Sequence, residues 1–139
     1  MLSASDIKKA LRAADFEVYR TKCQVVHVAE RVRENLIMDS GIRVDGRGAV
    51  VFYARTQRGD FPSESDDELF DRARRLGKPG LDCGYQEVRS FVTELTDPGM
   101  PARVLDQWYE VQFEKKVDTL AAAIDEVRFA YDLEKVAGR

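Results

Sequence analysis

The chain has 139 residues, a formal charge of −3, 44% hydrophobic and 34% charged side chains. That balance excludes an intrinsically disordered chain, and the length suits one domain whose core needs no disulfide or metal staple. An acidic total with no Lys/Arg run argues against nucleic acid as a partner, because phosphate neutralisation dominates such affinity.

In chain order, Ile7, Ala10, Leu11 and Ala14 recur at helical spacing, so residues 4–14 form a short amphipathic helix capped by Ser3 or Ser5. Phe16 to Arg20 alternates and reads as a strand. Val25, Val28, Ala29, Val32 and Leu36 make one helical stripe, and Thr21 and Gln24 have capping-box spacing, which predicts a helix over 22–38. Residues 42–44 and 49–57 read as a hairpin around Asp45-Gly-Arg-Gly48. Ser65 and Glu68 form a second capping box for a helix that turns Leu69, Phe70, Ala73 and Leu76 inward and stops at Gly77 and Pro79.

Residues 85–95 and 104–115 then form a long antiparallel hairpin closed by Thr96-Asp-Pro-Gly. Tyr109, Val111 and Phe113 alternate with Trp108, Glu110, Gln112 and Glu114. Pairing Arg89 with Glu110 and Phe91 with Trp108 on one face sets Val88 against Val111 and Ser90 against Tyr109 on the other, with slips of two residues still allowed. Val88, Val111 and Phe113 are therefore expected inside, and Trp108 outside. A final helix over 117–136 carries Val117, Leu120, Ala121, Ile124, Val127 and Tyr131 on one stripe. Ala122, Phe129 and Leu133 lie roughly opposite, covered by an N-terminal element or by another subunit.

The order α-β-α-β-β-α-β-β-α predicts a single α+β domain over 1–139, with a mostly antiparallel sheet of four to five strands and four helices. Its helix–strand alternation is loosely similar to that of small secretion-chaperone and adaptor domains, and no motif transfers with the likeness.

No catalytic constellation emerges. His27, the single histidine, shares a side of the expected helix with Cys23, and two ligands fall short of a structural zinc site. Asp66, Asp67 and Glu68 sit in a first helical turn, where they complement the macrodipole. Gly46-Arg-Gly48 lacks the Lys-Ser/Thr of a phosphate loop. Two cysteines form no framework, the opening residues do not read as a signal peptide, and no apolar run approaches a membrane span, so a cytoplasmic setting is expected.

What remains is a sheet face with Tyr85, Arg89, Phe91, Trp108 and Glu110, together with Phe129 and Leu133 on the last helix. Aromatics and Arg are favoured at recognition surfaces. The expectation is a non-enzymatic protein-binding module without cofactor or metal, forming a homodimer. The alternative is a small ligand pocket on that face, with Glu87 or Glu110 as acid or base.

Overall fold

A computed structural model describes residues 1–137. Within them, helices α1 (Ala4–Ala13), α2 (Asp66–Asp82) and α3 (Leu120–Ala137) accompany six strands. These are β1 (Val18–Lys22), β2 (Val25–Arg33), β3 (Leu36–Asp45), β4 (Ala49–Gln57), β5 (Gln86–Asp97) and β6 (Met100–Lys116). They form one antiparallel sheet in the order β1-β2-β3-β4-β6-β5. The α+β class stands, with six strands and three helices in place of four or five and four. The chain divides into two compact units, Met1–Phe52 with the chain from Glu114 onward, and Tyr53–Phe113. β4 and β6 each run through both.

In the first unit, the expected helix over 22–38 is two strands. Val26 pairs with Val44, which pairs with Val50, and all three are fully buried. The adjoining row, Arg20, His27 and Arg43, projects from the other face. β-branched residues pack well on a pleated surface and lose χ1 freedom in a helix, and here that preference prevails over the helical spacing. Cys23 and Gln24 form a two-residue turn with φ of 52° and 63°, between paired Lys22 and Val25. Both central residues in the left-handed region is the type I′ geometry normally supplied by Asn-Gly. The strain, about 1–2 kcal/mol per residue, is offset by anchoring. The Gln24 carbonyl accepts from Gly46 N at 2.8 Å and its Oε1 from Ala4 N at 3.3 Å.

α1 is capped by Ser3, whose Oγ accepts from Asp6 N at 3.1 Å, and buries Ile7 and Leu11. It packs against α3, where the Phe16 ring meets Tyr131 edge-on at 5.7 Å. α3 also lies on β3. Its buried seam is Ala123, Val127 and Ala130; of the expected stripe Val117 and Val127 are buried, whereas Ala121 is exposed, and Leu120, Ile124 and Tyr131 are half-buried. With β3 and α1 both against the helix, its small residues take the closest approach. Phe129 and Leu133 flank them at half-burial.

In the second unit, both capping-box bonds of Ser65 and Glu68 form. α2 does not stop at Gly77. It continues through Pro79 to Asp82, burying Leu69, Ala73, Gly77 and Gly80. Leu76 is exposed and Phe70 half-buried, contrary to the inward positions expected. Gly77 serves packing: a Cβ there would lie 2.3 Å from Phe113 Cε2. The Phe70 ring meets Tyr109 edge-on at 5.1 Å. The Tyr109 hydroxyl donates to Asp66 Oδ1 at 2.8 Å and accepts from the Arg58 guanidinium at 2.7 Å. Tyr109 and Phe113 thus hold α2 at both ends.

Gly77→Ala is expected to destabilise the protein by about 1–3 kcal/mol through overpacking, although Ala is the better helix former. Urea denaturation measures this, and Phe113→Leu in the same chain should recover part of the loss.

Candidate interaction surface

β6 has a neighbour on each side, and residues 109–113 are buried on both faces. Toward α2 lie Tyr109 and Phe113, with Val111 between them. On the other face, Glu110 is only 10% exposed and its Oε1 lies 3.1 Å from the Arg55 guanidinium. The Thr93 hydroxyl donates to its second oxygen. Arg89 Nε donates to Gln112 Oε1 at 2.6 Å and its guanidinium stacks on Phe91. Phe91 in turn meets Tyr53 edge-on at 6.0 Å. The expected alternation holds, and Trp108, half-buried, falls by that alternation opposite Tyr109 and Val111. Arg89 reaches Gln112, which fits the slip of two residues left open for the hairpin, and Phe91 meets Tyr53 across the sheet.

The aromatic face is therefore more closed than its composition suggests. Tyr85 precedes β5, is buried, and donates its backbone N–H to Gly80 O, so it belongs to the α2–β5 corner. Glu110 is tied by an arginine and a threonine. Glu87 pairs with Arg74 Nε at 3.0 Å. Phe91, Trp108, Phe129 and Leu133 are half-buried and Arg89 is exposed. Phe129 and Leu133 belong to the other unit from the hairpin residues.

Expectation and structure part most clearly at Val88, expected inside and 47% exposed. β5 ends the sheet, so no further strand shelters it, and α2 covers β6 without closing over Val88. Val92, Leu95, Met100, Val104 and Leu105 are likewise exposed. These six are half of the twelve large apolar side chains exposed among the described residues. Single exposed apolar residues are ordinary, whereas a concentration marks a contact surface. The ribbon is longer than predicted, because β5 reaches Asp97 and β6 starts at Met100, leaving Pro98-Gly99 as the turn. Its base is pinned by Asp106, which accepts from Gln57 Nε2 at 2.6 Å, Gly59 N at 3.0 Å and Gln107 N at 2.8 Å. Those bonds, Gln57 first, hold its carboxyl below the usual range.

His27 has a different setting. It lies on β2, not beside Cys23 on a helix, and Cys23 is at the exposed turn. Its side chain is 12% exposed, with Nδ1 3.4 Å from Asp39 Oδ2. Burial holds the imidazole below its ordinary range. Asp39 pulls the other way, and Arg20 and Arg43, directly across on the flanking strands, add to the lowering. No group of three or more His, Cys, Asp or Glu among the described residues is placed to hold a metal ion. No helix described is long and apolar enough to cross a membrane.

No family model, no curated protein and no solved structure matches this chain.

Because folding favours neutral His27, its contribution to stability is complete above the unfolded value of about 6.5 and is lost as pH falls from there through the lower folded value. Urea midpoints between about pH 5 and 7.5 should decline on the acid side, and His27→Gln should flatten that decline.

Proposed function

We propose that the protein is a non-enzymatic interaction module, adaptor- or chaperone-like, that self-associates through the β5–β6 ribbon. The observation that carries this reading is the exposure of six large apolar side chains, Val88, Val92, Leu95, Met100, Val104 and Leu105, spread over the two faces of one hairpin. The position of β5 supports it. An edge strand presents unpaired N–H and C=O groups and invites another strand unless Lys, Pro or a bulge blunts it. The twelve residues of β5 contain no Lys and no Pro. The opposite edge, β1, has five residues, carries Arg20 and Lys22, and is broken by a register shift.

Strand β5 is also compatible with itself. Antiparallel pairing about a twofold axis at Ser90 sets Val88 against the second copy's Val92, and Arg89 against its Phe91. The first is an apolar pair. The second repeats between copies the cation–π contact already made within the strand, where the Arg89 guanidinium lies 4.6 Å from the Phe91 centroid. A reducing, cytoplasmic setting belongs to the same reading.

Sedimentation equilibrium should show a concentration-dependent dimer. Val88→Lys with Val92→Lys should make it monomeric with an unchanged circular dichroism spectrum, whereas Val32→Lys, on the exposed end of β2, should leave it dimeric. A monomer at millimolar concentration, or a dimer indifferent to the β5 changes, refutes the proposal.

A further inference from the structure

Helix α2 has a flank on the side of the edge strand that nothing in the second unit covers. Arg74 marks it, because its Nε reaches Glu87 of β5 at 3.0 Å. Residues four and seven apart share a side of a helix, so Phe70 and Leu81 stand on that flank with Arg74, whose Cζ lies 5.9 Å from the Phe70 centroid. Phe70 is half-buried and Leu81 is 42% exposed. On β5, Arg89 reaches Gln112 on the face away from α2, so alternation turns Val88 and Val92 toward the helix. Both are exposed. Helix flank and edge strand therefore share one open apolar corner.

We propose that the α2 flank of a second copy fills this corner, so that the self-associating interface has two layers, strand beside strand and helix beside helix. The inference rests on the β5 self-pairing proposed above. Residues paired across an antiparallel ladder point to the same face. Any twofold pairing of β5 with itself therefore puts both α2 helices on one side of the joined sheet. Each α2 is seated on its own β6, with Gly77 against Phe113 and Phe70 against Tyr109. From one β6 to the other is three strand spacings, about 14 Å. Helices in direct contact lie about 8–10 Å apart, so the two flanks face each other across one layer of side chains. A guest chain between them would need roughly 10 Å to each helix, more than the space gives. Phe70 and Leu81 of each copy form the layer, over a floor of Val88 and Val92 from both. The charges on the flank do not oppose the approach. Asp71 pairs with Arg74 at 3.3 Å and Lys78 with Asp82 at 3.2 Å inside each copy, so these four sum to zero.

Sedimentation equilibrium of the full chain tests the two layers separately. Leu81→Glu, with Leu81→Ser as a milder change, should weaken the dimer by roughly tenfold or more, because each copy loses an apolar side chain from the contact. The circular dichroism spectrum should stay the same. Leu76→Glu is the control: Leu76 is also exposed but lies about 140° round the helix from Leu81, and its replacement should leave the dissociation constant unchanged. In the unmodified protein, the Leu81 methyl signals should shift with concentration in step with dimerisation, and those of Leu76 should not. A dimer that Val88→Lys with Val92→Lys abolishes, but that neither Leu81 change weakens, overturns the helix layer and leaves the strand pairing standing. Equal weakening by Leu76→Glu and Leu81→Glu, or Leu81 methyl signals indifferent to dilution, overturns it too. A strict monomer removes both layers together.

Discussion

Phe113 against Gly77 is the contact on which the second unit turns. The ring occupies the space that any larger residue at position 77 would fill, so α2 runs as close to β6 as a helix can. Tyr109 fastens the other end, with its hydroxyl between Asp66 and Arg58 and its ring beneath Phe70. Between these anchors the odd residues of β6 must face the helix, and the even ones must face away. Strand alternation allows no third arrangement. Glu110 and Gln112 are thereby committed to the face away from α2, where Arg55 on β4 and Thr93 and Arg89 on β5 satisfy them.

That alternation was readable from residues 107–115, and so were the capping box at Ser65 and the helical character of α3, Leu120–Ala137. Each rests on local chemistry. The strands over 25–38 were not readable, because the cue that separates a hairpin from a helix is the turn. Cys23-Gln24 supplies no Gly or Asn at the two left-handed positions. The conformation is held from outside, by Gly46 and Ala4, which no local window contains. Gly77 and Pro79 misled in the opposite sense. Both are helix breakers in isolation, yet the requirement for proximity to Phe113 keeps Gly77 inside α2. On α3, two apolar patches are legible, but of them only Val127 joins the deepest line, where Ala123 and Ala130 flank it. Apolar periodicity weights large residues, and close helix packing favours small ones.

The interaction surface was half legible for a related reason. A pattern of apolar residues assigns them to a face, but only the order of strands shows whether anything covers that face. Val88 and Val111 share one by alternation. Val111 belongs to an interior strand under a helix, and Val88 to the last strand of the sheet. The same principle acts in reverse on the aromatic side. Tyr85 and Glu110 were expected outside, and the α2–β5 corner and the flanking strands enclose them. The side chains left open are aliphatic ones of the ribbon, which carried no signal of their own.

The order of the units along the chain has a consequence for how the protein is made. Tyr53–Phe113 is a continuous segment set into a first unit that begins before it and finishes after it. A ribosome releases every residue of the inserted unit before α3, the helix that lies on β3 and α1, has been translated. Vectorial synthesis therefore favours completion of the inserted unit while the first still lacks its final helix. Closing the first unit across an insert of some sixty residues adds only modestly to the entropic cost, since that cost rises with the logarithm of loop length. During that interval the nascent chain displays a bare β3 surface, which α3 then seals.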